Sequence, residues 1–189
     1  MEYALIVTAS EKSAAVFSEL LHAASIHQIT AVPTCGDARR MFVERDFGLV
    51  IINAPLADES GEALARYIAG TGITQVLLVV PAEHFEAISA ICEADGVLTI
   101  GKPLNRSVLW SALKMAIAMR SRLQRFQSEN HRLRQRIADI RIVERAKSLL
   151  MSYLSMSEQE AHRYIERQAM DSRMTKRAVA EGILKTYES

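Results

Sequence analysis

Short, nearly continuous apolar runs punctuate the first hundred residues, at 3–7, 49–52, 76–80 and 96–100, with a weaker one at 28–32. Runs rich in β-branched residues and without polar alternation are those of strands buried on both faces of a parallel sheet. Between them the pattern changes to helical spacing, over 13–24, 37–45, 61–69 and 83–94. Strand and helix alternate along this stretch, which predicts a doubly wound α/β fold with a five-stranded parallel sheet. Ligands of such folds gather beyond the carboxyl ends of the strands, so candidate chemistry is sought there.

From 105 to 154 the pattern is different. This stretch holds neither proline nor glycine and is rich in Leu, Ile, Ala, Met, Arg and Gln, mostly good helix formers. Asn105 is a plausible N-cap, after which Val108, Leu109, Trp110, Leu113 and Ile117 can pack on the sheet. Ala116, Met119, Leu123, Phe126, Asn130, Leu133, Ile137 and Ile140 recur at alternating spacings of three and four, which is one stripe along a helix. At ~1.5 Å per residue such a helix spans roughly 70 Å, too long to bury inside one small domain. It is expected to connect two domains and to pair with a second copy through a seam of Leu123, Phe126, Asn130, Leu133, Ile137 and Ile140. If Leu123 is an a position, so is Asn130, and a buried Asn pair favours a parallel, in-register dimer. The alternative is that Asn130 is a polar break ending the packed stretch. Across the seam Glu129 faces Arg134 favourably, whereas Arg136 faces Arg141 with like charge.

Two short helices follow. Ser157-Glu158-Gln159-Glu160 is a capping box that starts a helix carrying Ala161, Tyr164, Ile165 and Gln168. Asp171-Ser172 breaks the pattern, and Thr175 can cap a last helix with Val179, Ile183 and Leu184. With the end of the long helix they predict a three-helix bundle whose core is Leu149, Leu150, Leu154, Ile165, Met170, Val179 and Ile183. The expected domains are 1–120 for the α/β sheet, 121–140 for the coiled-coil linker and 141–189 for the helical domain.

Charge sharpens this division. The 189 residues carry a net charge of only +1. Residues 1–106 hold 7 Lys/Arg against 13 Asp/Glu, and residues 107–189 hold 16 against 9. The basic back half suits a polyanion, and on charge alone a solvated helix surface suits it equally. Cys35 and Cys92 lie far apart and read as buried thiols of a reducing compartment. His22, His27, His84, His131 and His162 form no pair at metal-ligand spacing. No GxGxxG, P-loop or GxSxG occurs, so no catalytic constellation, cofactor or metal is expected. No apolar run approaches the ~18 residues of a membrane span, and no signal segment is visible at the N-terminus. The expectation is a cytoplasmic protein that is not an enzyme.

Asn53, Gly61 and Lys102-Pro103 stand where the α/β part resembles the receiver domain of bacterial two-component response regulators. In that family an acidic pair follows the first strand, and a phosphorylated Asp ends the third strand eight residues before a glycine. A hydroxyl residue ends the fourth strand, and Lys-Pro follows the fifth. Here Thr8 and Ala9 replace the acidic pair, Asn53 stands at the acceptor position, and the fourth strand ends Val79-Val80-Pro81. An amide oxygen is not the nucleophile that aspartyl phosphorylation needs, and Thr8 and Ala9 offer Mg²⁺ no carboxylate. The resemblance therefore implies a pseudo-receiver with a degenerate acceptor site of Thr8, Ala9, Asn53 and Lys102. Lys102 reads as a retained strand-end residue or as a partner of Asn53. Asp58 and Glu59 read as solvated loop charges.

The back half resembles the ANTAR domain through four runs: Glu144-Arg145-Ala146-Lys147-Ser148-Leu149-Leu150-Met151, Met156-Ser157-Glu158-Gln159-Glu160-Ala161, Gln168-Ala169-Met170-Asp171-Ser172-Arg173 and Val179-Ala180-Glu181-Gly182-Ile183-Leu184. Ser148 stands where a glycine is usual, and the region of Lys176 and Arg177 matches only loosely. The resemblance implies a dimer that binds paired hairpins in nascent mRNA and so competes with a transcription terminator. Combined with a pseudo-receiver and a coiled coil, it is most similar to antiterminators of the amidase-operon type. That type is controlled by a partner protein, a regulatory sensor, instead of by phosphorylation. Lys147, Arg163, Arg167, Arg173, Lys176 and Arg177 are the candidate RNA-binding residues, since cations bind phosphate and Arg planes stack on splayed bases. Tyr153 and Tyr164 read as core in preference to stacking platforms. The competing readings are a DNA-binding regulator, because two short helices imitate a helix-turn-helix, and a protein-interaction adaptor.

Overall fold

The structure, a computed structural model, describes residues 3–187 and divides into two compact units, Met1–Arg125 and Phe126–Ser189. The first unit is built on five parallel strands: β1 Tyr3–Val7, β2 Gln28–Val32, β3 Phe47–Asn53, β4 Gln75–Val80 and β5 Leu98–Gly101, ordered β2-β1-β3-β4-β5. Every residue of β3 and β4 is buried, as their unbroken apolar runs predict. β2 lies at the sheet edge with Gln28 and Ala31 exposed, which is why its apolar signal is weak.

Alternate residues of the sheet feed two cores. Leu5, Val7, Val50, Ile52, Leu78 and Val80 pack on one side against Ala38 of α2 (Cys35–Glu44), Leu64 and Ile68 of α3 (Glu62–Gly70) and Cys92 of α4 (Phe85–Glu93). Ala4, Ile6, Ile51, Leu77 and Val79 pack on the other side with Phe17 and Leu21 of α1 (Glu11–Ala23) and Leu109, Leu113 and Ala116 of α5 (Arg106–Leu154). A single 3₁₀ turn at Ala82–His84 precedes α4.

Helix starts follow capping. Ser10 accepts from Ser13 N at 3.2 Å and Thr34 from Asp37 N at 3.0 Å, so α1 and α2 each begin two residues before their expected starts. Gly61 caps α3 at φ +90, and a Cβ there would stand 3.0 Å from Ile52 Cγ2. The left-handed backbone and the close approach to β3 both call for glycine. Asn105 Oδ1 accepts from Ser107 N at 2.8 Å at the start of α5. Two expectations for α5 are corrected. Val108 is exposed instead of packed on the sheet, and Ala116 is fully buried against it. Ala116 therefore cannot belong to an outward seam; the exposed stripe begins at Met119.

The second unit packs the end of α5 against α6 (Glu158–Asp171) and α7 (Lys176–Tyr187) around Ala146, Leu150, Ala161, Ile165, Ala180 and Ile183. Both halves of the Ser157/Glu160 capping box are present, and Thr175 Oγ1 accepts from Ala178 N at 3.2 Å. Three small alanines take the centre, which lets the helices approach closely. Leu154 and Met170, expected in the core, are exposed, and Leu149 lies outside it. Among the described residues no helix is long and apolar enough to cross a membrane.

Candidate functional sites: the degenerate acceptor pocket and the basic helical surface

Register brings the degenerate site together. Val7 pairs with Ile52 and Asn53 with Val79, so Thr8 follows β1 directly beside the end of β3. The order β2-β1-β3 places this point at the switch of chain direction across the sheet, where open α/β folds hold ligands. Asn53 is buried and donates from Nδ2 to Thr8 Oγ1 at 3.0 Å, which also accepts from Ser10 N at 3.2 Å. Asn53 Oδ1 has no hydrogen-bond partner. Lys102 Nζ donates to Ala54 O at 2.6 Å, so the suggested pairing with Asn53 is replaced by a bond to the next carbonyl. Burial pushes the Lys102 ammonium below its ordinary pKa. An amide, a hydroxyl and a lysine close the strand ends with short polar links, and none of them is a carboxylate.

The acidic residues nearby are structural. Asp58 accepts from Cys35 N at 3.1 Å and Gly36 N at 2.9 Å, at the start of α2. These backbone bonds hold its carboxyl below the usual range. Glu59 takes both terminal nitrogens of Arg39, at 2.5 and 2.8 Å, and Arg39 likewise lowers its pKa. Both remain solvent-accessible loop charges, Asp58 exposed and Glu59 partly so, and they also fasten the β3–α3 loop to α2. Cys35 lies within ligand-atom reach of both carboxylates, all three within 4.8 Å. Its thiol is pushed up to about 11, first by burial and then by Asp58 and Glu59. At neutral pH the thiol is protonated.

In the second unit the six candidate cations fall into two groups. Lys147 is 5% exposed, and its Nζ donates to Glu144 and Glu158, each at 2.9 Å. It ties α5 to the first turn of α6 and lines an opening shared with Arg163 and Glu166, where a phosphate would have to compete with the two carboxylates. Lys176 bonds Glu166 at 2.5 Å, with His162 Nε2 at 3.2 Å from the same oxygen. Half-buried Arg177 bonds Asp139 and Glu181, each at 2.8 Å. These two line a groove of about 690 Å³ with Gln135, His162 and Thr175. Arg163, Arg167 and Arg173 are exposed, and Arg167 makes only a 3.8 Å contact with Asp171. Arg173 sits at φ +52 in the turn between α6 and α7, where Met174 N bonds Ala169 O at 2.9 Å. Tyr153, expected in the core, is instead exposed, its ring 5.2 Å from that of Tyr187, and Tyr164 is also exposed.

The expected seam residues Leu123, Phe126, Leu133, Ile137 and Ile140 are all exposed large hydrophobics, with Asn130 exposed among them.

Residues 131–184 match the ANTAR domain. The chain is 29% identical over 138 residues to the transcriptional regulatory protein PdtaR of Mycobacterium tuberculosis, covering 73% of this chain and 67% of that protein. It is 29% identical over 123 residues to the aliphatic amidase regulator of Pseudomonas aeruginosa, covering 65% and 63%. The sheet unit superposes on the BeF3-activated DrrB receiver domain with TM-score 0.53 at 24% identity, covering 62% of this chain and 98% of that one. A CheY-like receiver domain protein from Methanospirillum hungatei gives 0.57 at 17%, covering 65% and 98%. The first unit thus has the receiver fold, and the second carries the ANTAR match. In both parts the chain is similar to ANTAR-domain response regulators.

Proposed function

We propose that this chain is an RNA-binding transcription antiterminator that grips hairpins in nascent mRNA as a dimer, without control by aspartyl phosphorylation. The ANTAR match over 131–184 carries the reading. It is supported by exposed Arg163, Arg167 and Arg173 on the same unit and by relatives described as a transcriptional regulator and an amidase regulator. In this reading 1–120 is a pseudo-receiver, 121–140 a coiled-coil linker and 141–189 the RNA-binding domain. Arg163 and Arg167 meet phosphates, Arg173 reads a loop base, and Lys176 and Arg177 border the groove beside them. The protein works in the cytoplasm as a regulator and not as an enzyme, and a sensor protein sets its activity.

Binding to a two-hairpin leader RNA and to duplex DNA at matched salt tests this. Preference for the RNA is expected; equal or stronger binding to DNA would make the protein a DNA regulator, and binding to neither would make it an adaptor. Arg163→Ala and Arg167→Ala are each expected to weaken all RNAs alike and to reduce the salt slope by about 0.7 to 0.9. Arg173→Ala should instead flatten discrimination between the correct and a scrambled loop, by about 1 to 3 kcal/mol.

The acceptor pocket gives a second expected outcome. Small phosphodonors with Mg²⁺ leave no acyl phosphate on the wild-type chain, because Asn53 is no nucleophile. Asn53→Asp alone does not restore it, since Thr8 and Ala9 still supply no metal ligand. Mass spectrometry under acid-stable conditions checks both, and a phosphoryl adduct near residue 53 on the wild-type protein would refute the reading.

A further inference from the structure

Arg173 occupies a position that ordinarily belongs to glycine. At the end of α6, Arg173 N donates to Met170 O at 3.2 Å and Met174 N to Ala169 O at 2.9 Å. This pair of bonds closes a helix whose next residue is left-handed, and Arg173 takes that place at φ +52. A side chain with a Cβ is strained there, and glycine is not. The fold gives the arginine nothing in return. It is exposed, and its side chain makes no ion pair or hydrogen bond among the described residues. Lys147, Lys176 and Arg177, by contrast, are each tied to carboxylates. Two large apolar side chains flank it. Met170 is 73% exposed and Met174 53%, so neither is held by the core. Backbone strain without structural return and apolar surface left in water meet in one turn, as they do where a partner binds.

We propose that Met170, Arg173 and Met174 form a tip that takes up one unpaired base of an RNA loop, while Arg163 and Arg167 follow the phosphates of the adjoining stem. This assignment rests on the RNA function proposed above and names the part of the RNA that the turn meets. Arg163, Arg167 and Met170 stand at i, i+4 and i+7, so they share one outer face of α6. That face leads two exposed guanidiniums to the turn, and its charge suits a polyanion. A splayed base offers a flat apolar face and polar edges. The guanidinium plane of Arg173 can stack on the face or donate to acceptors on an edge. The methionine thioethers are unbranched and polarizable, so they adapt to the ring beside them. A continuous duplex offers no such base, and its phosphates engage the cations alone.

The probe is one RNA hairpin, selected as the tightest binder of the full chain from a pool with a fixed stem and randomised loops. Its control is the same stem as a blunt duplex. With ¹³C-labelled methionine methyls, the hairpin is expected to shift the Met170 and Met174 signals upfield by ring current, and the duplex to leave them in place. Met170→Leu and Met174→Leu assign the two signals. Wild type should prefer hairpin to duplex by about tenfold or more, the scale of one stacked base. Arg173→Gly should raise the thermal midpoint, because strain leaves the turn, and still erase that preference. Arg173→Lys keeps the charge without the plane and should erase it too. Met170→Ser should cut the preference about threefold, and Met170→Leu should retain it. Arg163→Ala should weaken hairpin and duplex alike, which tests RNA binding apart from the tip. If wild type and Arg163→Ala behave as expected, unmoved methionine methyls or an unchanged preference in folded Arg173→Gly would overturn the tip and leave the RNA function standing. A lowered midpoint in Arg173→Gly would give the arginine a structural role and overturn the tip as well. A wild-type chain that binds no hairpin more tightly than the duplex would overturn both.

Discussion

Ile137→Asp is expected to convert the proposed dimer to a monomer in analytical ultracentrifugation and to lower affinity for a two-hairpin RNA by about 100-fold or more. Ile137 is exposed on the stripe that also carries Leu123, Phe126 and Leu133. In a parallel seam an aspartate at this position buries one charge from each copy, face to face. An uncompensated buried charge costs several kcal/mol, more than a short seam can absorb. The RNA effect follows from geometry: two linked domains bind two hairpins with an effective concentration that one domain lacks, worth about 10²- to 10⁴-fold. Ile137 is the better target than Ile140, because Ile140 also lines the groove beside Asp139 and Val143. A folded Ile137→Asp variant that stays dimeric places the interface elsewhere. One that is monomeric but binds the two-hairpin RNA at full affinity removes the dimer from the RNA mechanism.

Asn130 refines the same experiment. If it pairs with its symmetry mate, Asn130→Leu should stabilise the assembly while loosening its register and number of strands. If it is a polar break, the substitution merely lengthens the apolar stripe and leaves a parallel dimer. Sedimentation of the variant over a concentration series separates the two.

The parallel sheet was legible because β3 and β4 are buried on both faces, so their composition is dictated by the core alone. β2 was fainter for the same reason reversed: an edge strand answers partly to solvent. The loss of the carboxylates was equally readable, since it is a matter of residue type at Asn53, Thr8 and Ala9. What the sequence could not show is how polar side chains share partners. The further role of Asp58 and Glu59 is hidden until the fold brings Cys35, Gly36 and Arg39 to them across 20 to 23 residues. Lys102 looks like a partner for Asn53 until the Ala54 carbonyl is placed. In the helical unit, helical spacing marked Leu154 and Met170 as core, yet Ala146, Ala161 and Ala180 fill the centre. Alanine gives little periodic signal, and a close helix crossing is needed to make it the right residue. A rule that treats Ala at a and d spacing as apolar would have found all three.

Lys147 is the residue where this difference has the largest consequence. Read as a surface cation, it should contribute to the salt slope of RNA binding. Placed in the structure, its buried ammonium joins Glu144 of α5 to Glu158 in the first turn of α6. Lys147→Ala is therefore expected to lower the thermal midpoint of the helical unit markedly, because it removes the link and strips the packed stem as well. Lys147→Met keeps the stem and loses only the charge, so it should fall between wild type and Ala. In neither variant should the salt slope per folded molecule change. The pH profile carries the sign. Lys147 holds the Glu158 carboxyl below its ordinary 4.5, so this contribution is complete above pH 4.5 and is lost as pH falls through the lowered value. The Lys147 ammonium is raised above its ordinary 10.5, first by Glu144 and then by Glu158, so its share is complete below pH 10.5 and lost above the raised value. Between those limits the gap in midpoint between wild type and Lys147→Met should be flat, and it should shrink at the acid end. Measured melting curves of both variants from pH 3 to 8, set beside their RNA salt titrations, check each part. A folded Lys147→Met with unchanged midpoint and a salt slope reduced by about 0.7 to 0.9 would return this lysine to the RNA surface.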